Sequence, residues 1–262
     1  MRTVVRKVEA LRVHPCFQES CHGDYGRIHL PVAPRCNIQC AYCDRKYDCA
    51  NESRPGVTSR VISPKEAVFR TREALIREPR IRVAGIAGPG EPLANPETME
   101  TLALLHESFP DLILCASSNG LLVEEKLPAL LRAGLDTLTV TINAVTAAAA
   151  EQIYDGEKVD VERLLCQQRR ALKLCRNTRL AVKVNTILIP GVNEREVEEI
   201  ARLAAQEGAV RMNLTPLIPC GGMASFRAPT REELAWARSR AGRFISQFTL
   251  CRQCRADACG LV

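Results

Sequence analysis

The sequence has few aromatic residues and no long apolar segment. Phe, Trp and Tyr make up 4% of its 262 residues and the basic residues are dispersed, so the stacking platforms and basic patches of nucleic-acid-binding proteins are missing. No run of 18 consecutive apolar residues occurs, so no membrane-spanning helix is expected. The first residues, MRTVVRKVEALRV, carry charges throughout and lack the apolar core of a signal peptide. We therefore expect partners that are neither nucleic acid nor membrane.

Cysteine, by contrast, is abundant. The chain has 13 cysteines, an odd number without a secretion signal, which argues against a disulfide framework and for the reducing cytoplasm. In that compartment, grouped cysteines usually indicate metal or redox chemistry. Cys166 and Cys175 fall in an apparent helix, where buried thiols are expected, and Cys220 in the loop PCGGM has no assigned role.

From residue 25 onward, short apolar runs alternate with amphipathic stretches. Six strands are predicted, at RIHLPVA (27–33), IRVAGIA (81–87), LILCAS (112–117), TLTVTIN (137–143), LAVKVNTILI (180–189) and VRMNLTPLI (210–218). Six helices are predicted to follow them, at 64–78, 96–109, 123–133, 161–176, 194–206 and 231–245. The strands read as apolar throughout, as parallel strands covered on both faces should.

Six βα units of roughly 35 residues each match the size of a βαβ repeat. We therefore predict an α/β fold, a single-domain partial (βα)6 TIM-like barrel with its site at the carboxyl ends of the strands. An open doubly wound sheet is the alternative. The barrel core is expected at 27–245, and residues 1–26 and 246–262 are expected to be irregular extensions that cover the barrel mouth.

The most informative motif is a C-x3-C-x2-C run just after the first predicted strand. Its cysteines are Cys36, Cys40 and Cys43, and Cys49 follows six residues later. Three thiolates leave one iron of a four-iron cluster without a protein ligand. The alternative is a zinc site closed by Cys49, although zinc sites favour two separated C-x2-C pairs.

The motif, its position and the barrel together resemble the radical S-adenosylmethionine (SAM) superfamily. In that superfamily, SAM chelates the open iron, and an electron from the cluster cleaves SAM to give a 5′-deoxyadenosyl radical. The resemblance implies that Cys36, Cys40 and Cys43 hold the SAM-cleaving 4Fe-4S cluster and are the catalytic cysteines.

Three further segments resemble the SAM-binding motifs of the superfamily. GPGEP, with Gly90 and Glu91, is similar to its glycine–glycine–glutamate motif, and Glu91 is expected to accept hydrogen bonds from the SAM ammonium group. Without the resemblance, GPGEP reads as an ordinary turn. Thr141 and Asn143 are expected to hold the methionine or ribose part, and ILIPGVN is expected to place Val192 against the adenine.

Two longer segments, residues 14–57 and the tail CRQCRADA at 251–258, closely resemble the NifB family of nitrogenase cofactor biosynthesis. The resemblance implies that two additional 4Fe-4S clusters are substrates. They are fused, with a carbon from a SAM methyl group and an added sulfur, into an eight-iron carbide cluster. It also implies partners: an iron–sulfur cluster donor, an electron donor such as a ferredoxin, and nitrogenase cofactor maturation or carrier proteins. The chain stops after the tail and is expected to be a short form without an extra C-terminal domain.

The resemblance also implies two sets of ligands for the substrate clusters. The first set is Cys49, Cys115 and, by preference, Cys16. The second set is His29, Cys251 and Cys254. Without the resemblance, the CRQC pair reads as a redox or zinc pair, the histidine as a hydrogen-bonded core residue, and the strand cysteine as a buried apolar side chain.

Some polar residues have no fixed place in this scheme. Cys21 and Cys259 are not expected in the family pattern, while His14, His22 and Glu52 are either proton carriers or residues of a solvated loop. Two other functions remain open from the sequence. One is a radical SAM enzyme acting on a small organic or peptide substrate, and the other is a non-catalytic cluster carrier or zinc protein.

Overall fold

Six parallel strands and one antiparallel strand form a single sheet. The computed structural model describes residues 2–51 and 60–262, with side chains described from residue 7 onward, so Glu52 lies outside the described residues. The strands are β1 (Gly26–His29), β2 (Ile81–Ile86), β3 (Ile113–Ser118), β4 (Thr137–Thr141), β5 (Ala181–Leu188), β6 (Arg211–Pro216) and β7 (Cys259–Leu261). Their order is β6-β5-β4-β3-β2-β1-β7, and β1 to β6 pair in parallel with their neighbours. This is the predicted partial barrel of six βα units, extended by one strand.

Helices cover the outside of the sheet. Those in the described residues are α1 (Arg2–Val13), α2 (Pro64–Arg77), α3 (Pro96–Ser108), α4 (Val123–Arg132), α5 (Ala147–Ile153), α6 (Val161–Arg176), α7 (Val197–Gln206) and α8 (Arg231–Ala241). Several begin at a side-chain cap, such as Ser63 before α2 and Asp160 before α6. Helix α7 begins three residues later than predicted, and the carboxylate of the residue before it, Glu196, accepts a hydrogen bond from Val145 N at 2.7 Å.

The strands alternate between two buried environments. Leu138 and Val140 pack into the main hydrophobic core with the helices. Between them, Thr139 faces an interior cavity, which Cys115 and Lys183 also line. The prediction of strands that are apolar throughout is therefore wrong in one respect. Both faces are buried, but the inner face carries polar and thiol groups, as expected of a barrel that binds a ligand inside.

The amino-terminal extension was expected to be irregular, but it contains a helix. Helix α1 occupies residues 2–13, and its Ala10 packs against Val83 and Ile113 near the amino ends of β2 and β3. Helix α1 therefore reaches the inner face from the amino-terminal half of the strands, and Cys16, which follows it in the extension, lines the interior cavity together with Cys251 of the tail. The apolar stripe of this helix is narrow, with Ala10 and Val13, and the surrounding charged residues make the helix hard to recognise from the sequence.

The tail also contains regular structure. Strand β7 pairs antiparallel with β1, with Gly26 opposite Leu261. Before that strand, Gln253 Nε2 donates a hydrogen bond to Pro216 O at 3.4 Å, at the carboxyl end of β6. The tail thus lies across the carboxyl end of the barrel, as predicted, and also completes the sheet edge beside β1.

A search for membrane spans over the described part of the chain found no helix with the length and hydropathy that a crossing requires.

Candidate functional site

A compact turn holds the three cysteines of the C-x3-C-x2-C motif. Cys43 N donates to Cys40 O at 3.0 Å, and Gln39 Nε2 donates to the carbonyl oxygens of both Cys40 and Cys43 at 3.0 Å. Cys36 and Cys43 are half-buried and Cys40 is buried. The local backbone therefore gathers three thiols at the mouth of the barrel, after β1, as predicted.

Helix α5, which the sequence analysis missed, supports this turn. Ala41 N donates to Ile153 O at 2.7 Å, and Asp155 N donates to Gln39 O at 3.0 Å. Between these bonds, Cys40 and Tyr154 form an antiparallel bridge. The end of α5 thus fixes the cysteine turn from the side of β4.

The thiols of the turn are protonated in the absence of metal. Burial raises the pKa of Cys36, Cys40 and Cys43, while Arg45 partly offsets the effect at Cys43. Neighbouring thiolates raise each pKa further, because like charges close together disfavour ionisation. Binding iron as thiolates therefore requires these protons to be released.

Cys49 lies beside the same turn. Burial raises its pKa well above the usual value, and the thiols of Cys36, Cys40 and Cys43 add to the effect. Cys220 also lies close to Cys43, because the charge of a Cys220 thiolate would raise the pKa of Cys43. The structure thus brings Cys49 to the three-cysteine turn, whereas the sequence prediction grouped it with Cys16 and Cys115.

Gly90 of the GPGEP segment packs against the backbone that leads into the turn. A Cβ at this position would lie 2.3 Å from Arg35 O and 2.9 Å from Ala33 O. Gly90 N also donates to Ala33 O at 2.6 Å. The glycine thus lets two loops of the protein approach each other, and its contact with SAM stays a prediction.

Glu91 is buried among hydrogen-bond donors. Its carboxylate accepts from Ser118 Oγ at 2.7 Å, from Asn119 N at 2.7 Å and from Leu93 N at 3.1 Å. Burial nevertheless raises its pKa to about 7. A buried carboxylate of this kind suits a cationic partner such as an ammonium group, whose charge favours the ionised form.

Asn143 supports the cysteine turn through Tyr42. Asn143 Nδ2 donates to Tyr42 Oη at 2.7 Å, and Asn143 Oδ1 accepts from Ile187 N at 2.9 Å. The Tyr42 hydroxyl in turn donates to Asn51 Oδ1. Both ends of the Asn143 amide are therefore engaged by protein groups that position the turn, and its predicted contact with SAM stays a prediction.

Thr141 and Val192 lie where the prediction placed them, near the carboxyl ends of their strands. Thr141 is buried, and its carbonyl accepts from Gln168 Nε2 at 3.0 Å. Val192 packs against the same apolar cluster as Cys36 and Cys43. Their contact with SAM stays a prediction.

Two polar residues of β6 were not identified from the sequence. Asn213 Oδ1 and Thr215 Oγ1 are buried and have no hydrogen-bond partner within the described residues. Asn213 Nδ2 donates to Asn185 Oδ1 at 2.8 Å. Buried polar atoms without partners are rare in folded proteins, so such atoms on the inner face fit a barrel that receives a polar ligand such as SAM. The alternation of Asn and Thr in RMNLTP was the available signal.

A second group of thiols lines a cavity inside the barrel, with a volume of about 50 Å³. It contains five of the predicted metal ligands: Cys16, His29, Cys115, Cys251 and Cys254. Cys49 is not among the described residues of its lining. The cavity thus brings four of the predicted cysteine ligands and the predicted histidine ligand together.

Two cations project into this cavity. Arg27 donates from Nη2 to Cys254 Sγ at 2.8 Å and from Nη1 to Gly260 O at 3.1 Å. Lys183 Nζ donates to Cys16 O at 3.2 Å and lies 5.0 Å from the centre of the Phe17 ring. Arg27 and Lys183 are both buried, so the cavity combines thiols with positive charge.

Burial disfavours the charged forms of Cys16 and of the two cavity imidazoles, His14 and His29. Burial raises the pKa of Cys16 to about 12, although Lys183 acts in the opposite direction. Burial lowers the pKa of His29 to about 4 and that of His14 well below its usual value. A neutral imidazole is the form that binds a metal.

The remaining cysteines and His22 lie outside these two groups. Cys21 Sγ donates to Gln18 O at 3.3 Å, Cys175 is buried in the core, and Cys166 and Cys259 are exposed. His22 Nδ1 donates to Pro15 O at 3.0 Å. In the part of the chain that is described, no three His, Cys, Asp or Glu side chains are arranged to hold a single metal ion.

Comparison with known proteins gives consistent results. Residues 30–204 match the profile of the radical SAM superfamily. The FeMo cofactor biosynthesis protein NifB of Klebsiella pneumoniae is 43% identical over 95% of this chain and 57% of its own length. The protein of the same name from Methanocaldococcus infernus is 42% identical over 96% of this chain and 86% of its own length. The chain thus spans little more than half of the first relative and most of the second.

The fold is also similar to that of methylornithine synthase (PylB), with a TM-score of 0.54 and 14% identity over 99% of this chain and 80% of that protein. At this identity the likeness concerns the fold alone.

Proposed function

The chain belongs to the radical SAM superfamily and, within it, to the NifB family, and from this we propose that it is a radical SAM enzyme that builds the eight-iron precursor of the nitrogenase cofactor. The enzyme fuses two 4Fe-4S clusters, inserts a carbide derived from a SAM methyl group and adds a sulfur. The observation that carries the proposal is that one barrel has two separate clusters of cysteines. One is the cysteine turn at the mouth and the other lines the cavity inside.

The cysteine turn fits a SAM-cleaving cluster as its resident cofactor. Cys36, Cys40 and Cys43 supply three thiolates from one turn, which suits a four-iron cluster with one open iron. When bound, such a cluster supplies the electron for reductive cleavage of SAM. The chain's own residues orient the groups: Tyr42 and Asn143 hold the turn, and Glu91 receives the SAM ammonium group.

The inner cavity fits the substrate clusters. Cys16, Cys115, Cys251 and Cys254 offer thiolates, and His29 offers an imidazole. A cluster that must be rebuilt and released is better held by exchangeable ligands than by four thiolates, and an imidazole is the more readily lost of the two ligand types. The barrel wall excludes water and oxygen during the reaction.

We assign Cys49 to a substrate cluster that lies between the cavity and the turn. Cys49 adjoins the three cysteines of the turn, and the preceding residue, Asp48, accepts a hydrogen bond from Ala256 N of the tail at 3.4 Å. From this position, Cys49 would hold the substrate cluster between the SAM site and the tail cysteines.

The proposal includes partners and a compartment. The enzyme needs an iron–sulfur cluster donor, an electron donor such as a ferredoxin, and a nitrogenase cofactor maturation or carrier protein that accepts the product. None of the 13 cysteines, all of which lie within the described residues, is part of a disulfide, which is compatible with the reducing cytoplasm.

Anaerobic reconstitution tests the proposal. Three four-iron clusters give about twelve irons per chain, and a radical SAM enzyme for an organic or peptide substrate gives about four. With SAM and a reductant, the chain should form both 5′-deoxyadenosine and S-adenosylhomocysteine. Cys251→Ala should lower the iron content and keep SAM cleavage, Cys40→Ala should abolish cleavage, and the exposed Cys166→Ala should change neither. About four irons in the unaltered chain would contradict the proposal.

A further inference from the structure

The two histidines of the inner cavity have opposite hydrogen-bonding arrangements. His29 Nδ1 lies 3.0 Å from Arg255 O. A carbonyl oxygen only accepts, so Nδ1 carries the proton and Nε2 keeps its lone pair. Donation of one ring N–H to a backbone carbonyl is the usual arrangement of a metal-binding histidine.

His14 has the reverse arrangement. Its Nδ1 accepts a hydrogen bond from Cys16 N at 3.1 Å. Because that nitrogen uses its lone pair on a backbone N–H, the ring proton must be on Nε2. His14 therefore presents an N–H group, whereas His29 presents a lone pair.

The Nε2 atom of His14 has no hydrogen-bond partner among the described residues, although the side chain is only 2% exposed. The ring lines the cavity that contains Cys16 and Cys115. A buried donor without an acceptor is unfavourable, so its retention at this wall points to an acceptor that arrives with a ligand.

Lys183 gives this wall a positive charge. Its Nζ donates a hydrogen bond to Cys16 O at 3.2 Å, and the backbone N–H of the same residue, Cys16, donates to His14 Nδ1. The side chain crosses the inner face from β5 and contacts the Phe17 ring. An N–H donor beside an ammonium group suits an anionic acceptor, and the sulfides of an iron–sulfur cluster are anionic acceptors.

We propose that His14 is a hydrogen-bond donor to a sulfide of the substrate cluster and not an iron ligand, and that Lys183 supplies the adjacent positive charge. The inference rests on the proposed function, since it requires a substrate cluster in the cavity. Within that function it separates two histidines that the sequence alone does not distinguish. His29 binds iron, and His14 positions the cluster from outside the ligand shell.

Pulsed electron paramagnetic resonance on the reduced, reconstituted chain tests the proposal, because nitrogen bonded to iron couples far more strongly than nitrogen that only donates a hydrogen bond. The chain has four histidines, which allows assignment by substitution after isotopic labelling of histidine. The strong coupling should disappear in His29→Phe and persist in His14→Phe. His106→Phe, at an exposed position of α3, is the control and should change nothing.

The reduction potential provides a second readout. Hydrogen bonds and positive charge near the sulfides stabilise the reduced cluster, so His14→Phe and Lys183→Met should each lower the potential. His14→Gln and Lys183→Arg, which keep a donor or the charge, should restore part of it. Lys173→Met, at an exposed site on α6, should leave the potential unchanged.

The outcomes separate this inference from the proposed function. Loss of the strong nitrogen coupling in His14→Phe, or an unchanged potential in both His14→Phe and Lys183→Met, would overturn the inference and leave the proposed function standing. An unaltered chain with about four irons and no histidine coupling would overturn the proposed function itself, and this inference with it.

Discussion

Replacing Gly90 with alanine should separate the GPGEP segment from the cysteine turn. The added Cβ would lie 2.3 Å from Arg35 O and 2.9 Å from Ala33 O, and both are backbone atoms that no rotamer change can move. Since carbon contacts are most favourable at about 3.5 Å, one of the two loops must shift by about 1 Å. The shift would displace Glu91, which follows in sequence, and the entry into the turn at Cys36.

Overpacking of this kind costs about 1–3 kcal/mol. In a chain of this size each kcal/mol lowers the melting temperature by roughly 2–4 °C. Differential scanning calorimetry of the metal-free, reduced chain measures this change, and the iron content after reconstitution measures the damage to the turn. We expect Gly90→Ala to melt several degrees lower and to retain fewer irons.

Two other glycines provide matched controls. A Cβ at Gly156 meets no atom within 4 Å, so Gly156→Ala should leave the melting temperature unchanged or slightly higher. A Cβ at Gly222 lies 3.2 Å from Ala41 O, so Gly222→Ala should have a smaller effect than Gly90→Ala. Equal melting temperatures and iron contents for the variants at 90 and 156 would refute the argument.

Further predictions concern other parts of the site. Tyr42→Phe removes a hydroxyl that Asn143 contacts at 2.7 Å and should cost about 1–3 kcal/mol in urea denaturation, because buried polar groups lose their partner; no change would contradict this role. Burial raises the pKa of Glu91 to about 7, so the folded chain holds the Glu91 proton more tightly than the unfolded chain does. The free energy of unfolding without SAM should therefore fall by roughly 3 kcal/mol as the pH rises from about 4.5 to 7. Glu91→Gln should remove this pH dependence of the unfolding free energy, and identical pH profiles for the variant and the unaltered chain would contradict the role of Glu91. Cys49→Ala should lose about four irons yet still form 5′-deoxyadenosine, and loss of the nucleoside would instead make Cys49 part of the SAM-cleaving site. Arg27→Met should release the tail, seen as faster hydrogen exchange at residues 251–261, because Arg27 Nη1 contacts Gly260 O at 3.1 Å; unaltered exchange would count against this contact.

Most of the fold could be predicted from hydrophobic periodicity. The six parallel strands and the six helices after them lie near their predicted positions. Apolar runs bounded by Gly and Pro are typical of buried strands and helices, so they indicate where these elements begin and end. Helix α5, with the sequence AAAAEQI, was missed because alanine gives little contrast between a buried and an exposed face. Its contact with the cysteine turn depends on tertiary structure that no local pattern specifies.

The candidate site could be predicted only in part. Spacing alone identified Cys36, Cys40 and Cys43, because the three lie within one turn. Which distant residues share a cavity depends on strand register, and the structure places Cys16 and Cys115 together while bringing Cys49 to the turn.

The distinction between two kinds of histidine was also beyond the sequence. It depends on whether Nδ1 faces a carbonyl, as in His29, or a backbone N–H, as in His14. Likewise, Asn143 lies just after β4, and its amide donates a hydrogen bond to the Tyr42 hydroxyl. Such roles follow from orientation, which residue type and spacing do not determine.

The fate of the SAM methyl carbon tests the central claim most directly. The reconstituted chain would be supplied with SAM labelled in the methyl group and with a reductant, and the iron-containing product would be extracted and counted. We expect one labelled carbon in each eight-iron product and none in a Cys40→Ala chain. Formation of 5′-deoxyadenosine with an unlabelled iron fraction would contradict it.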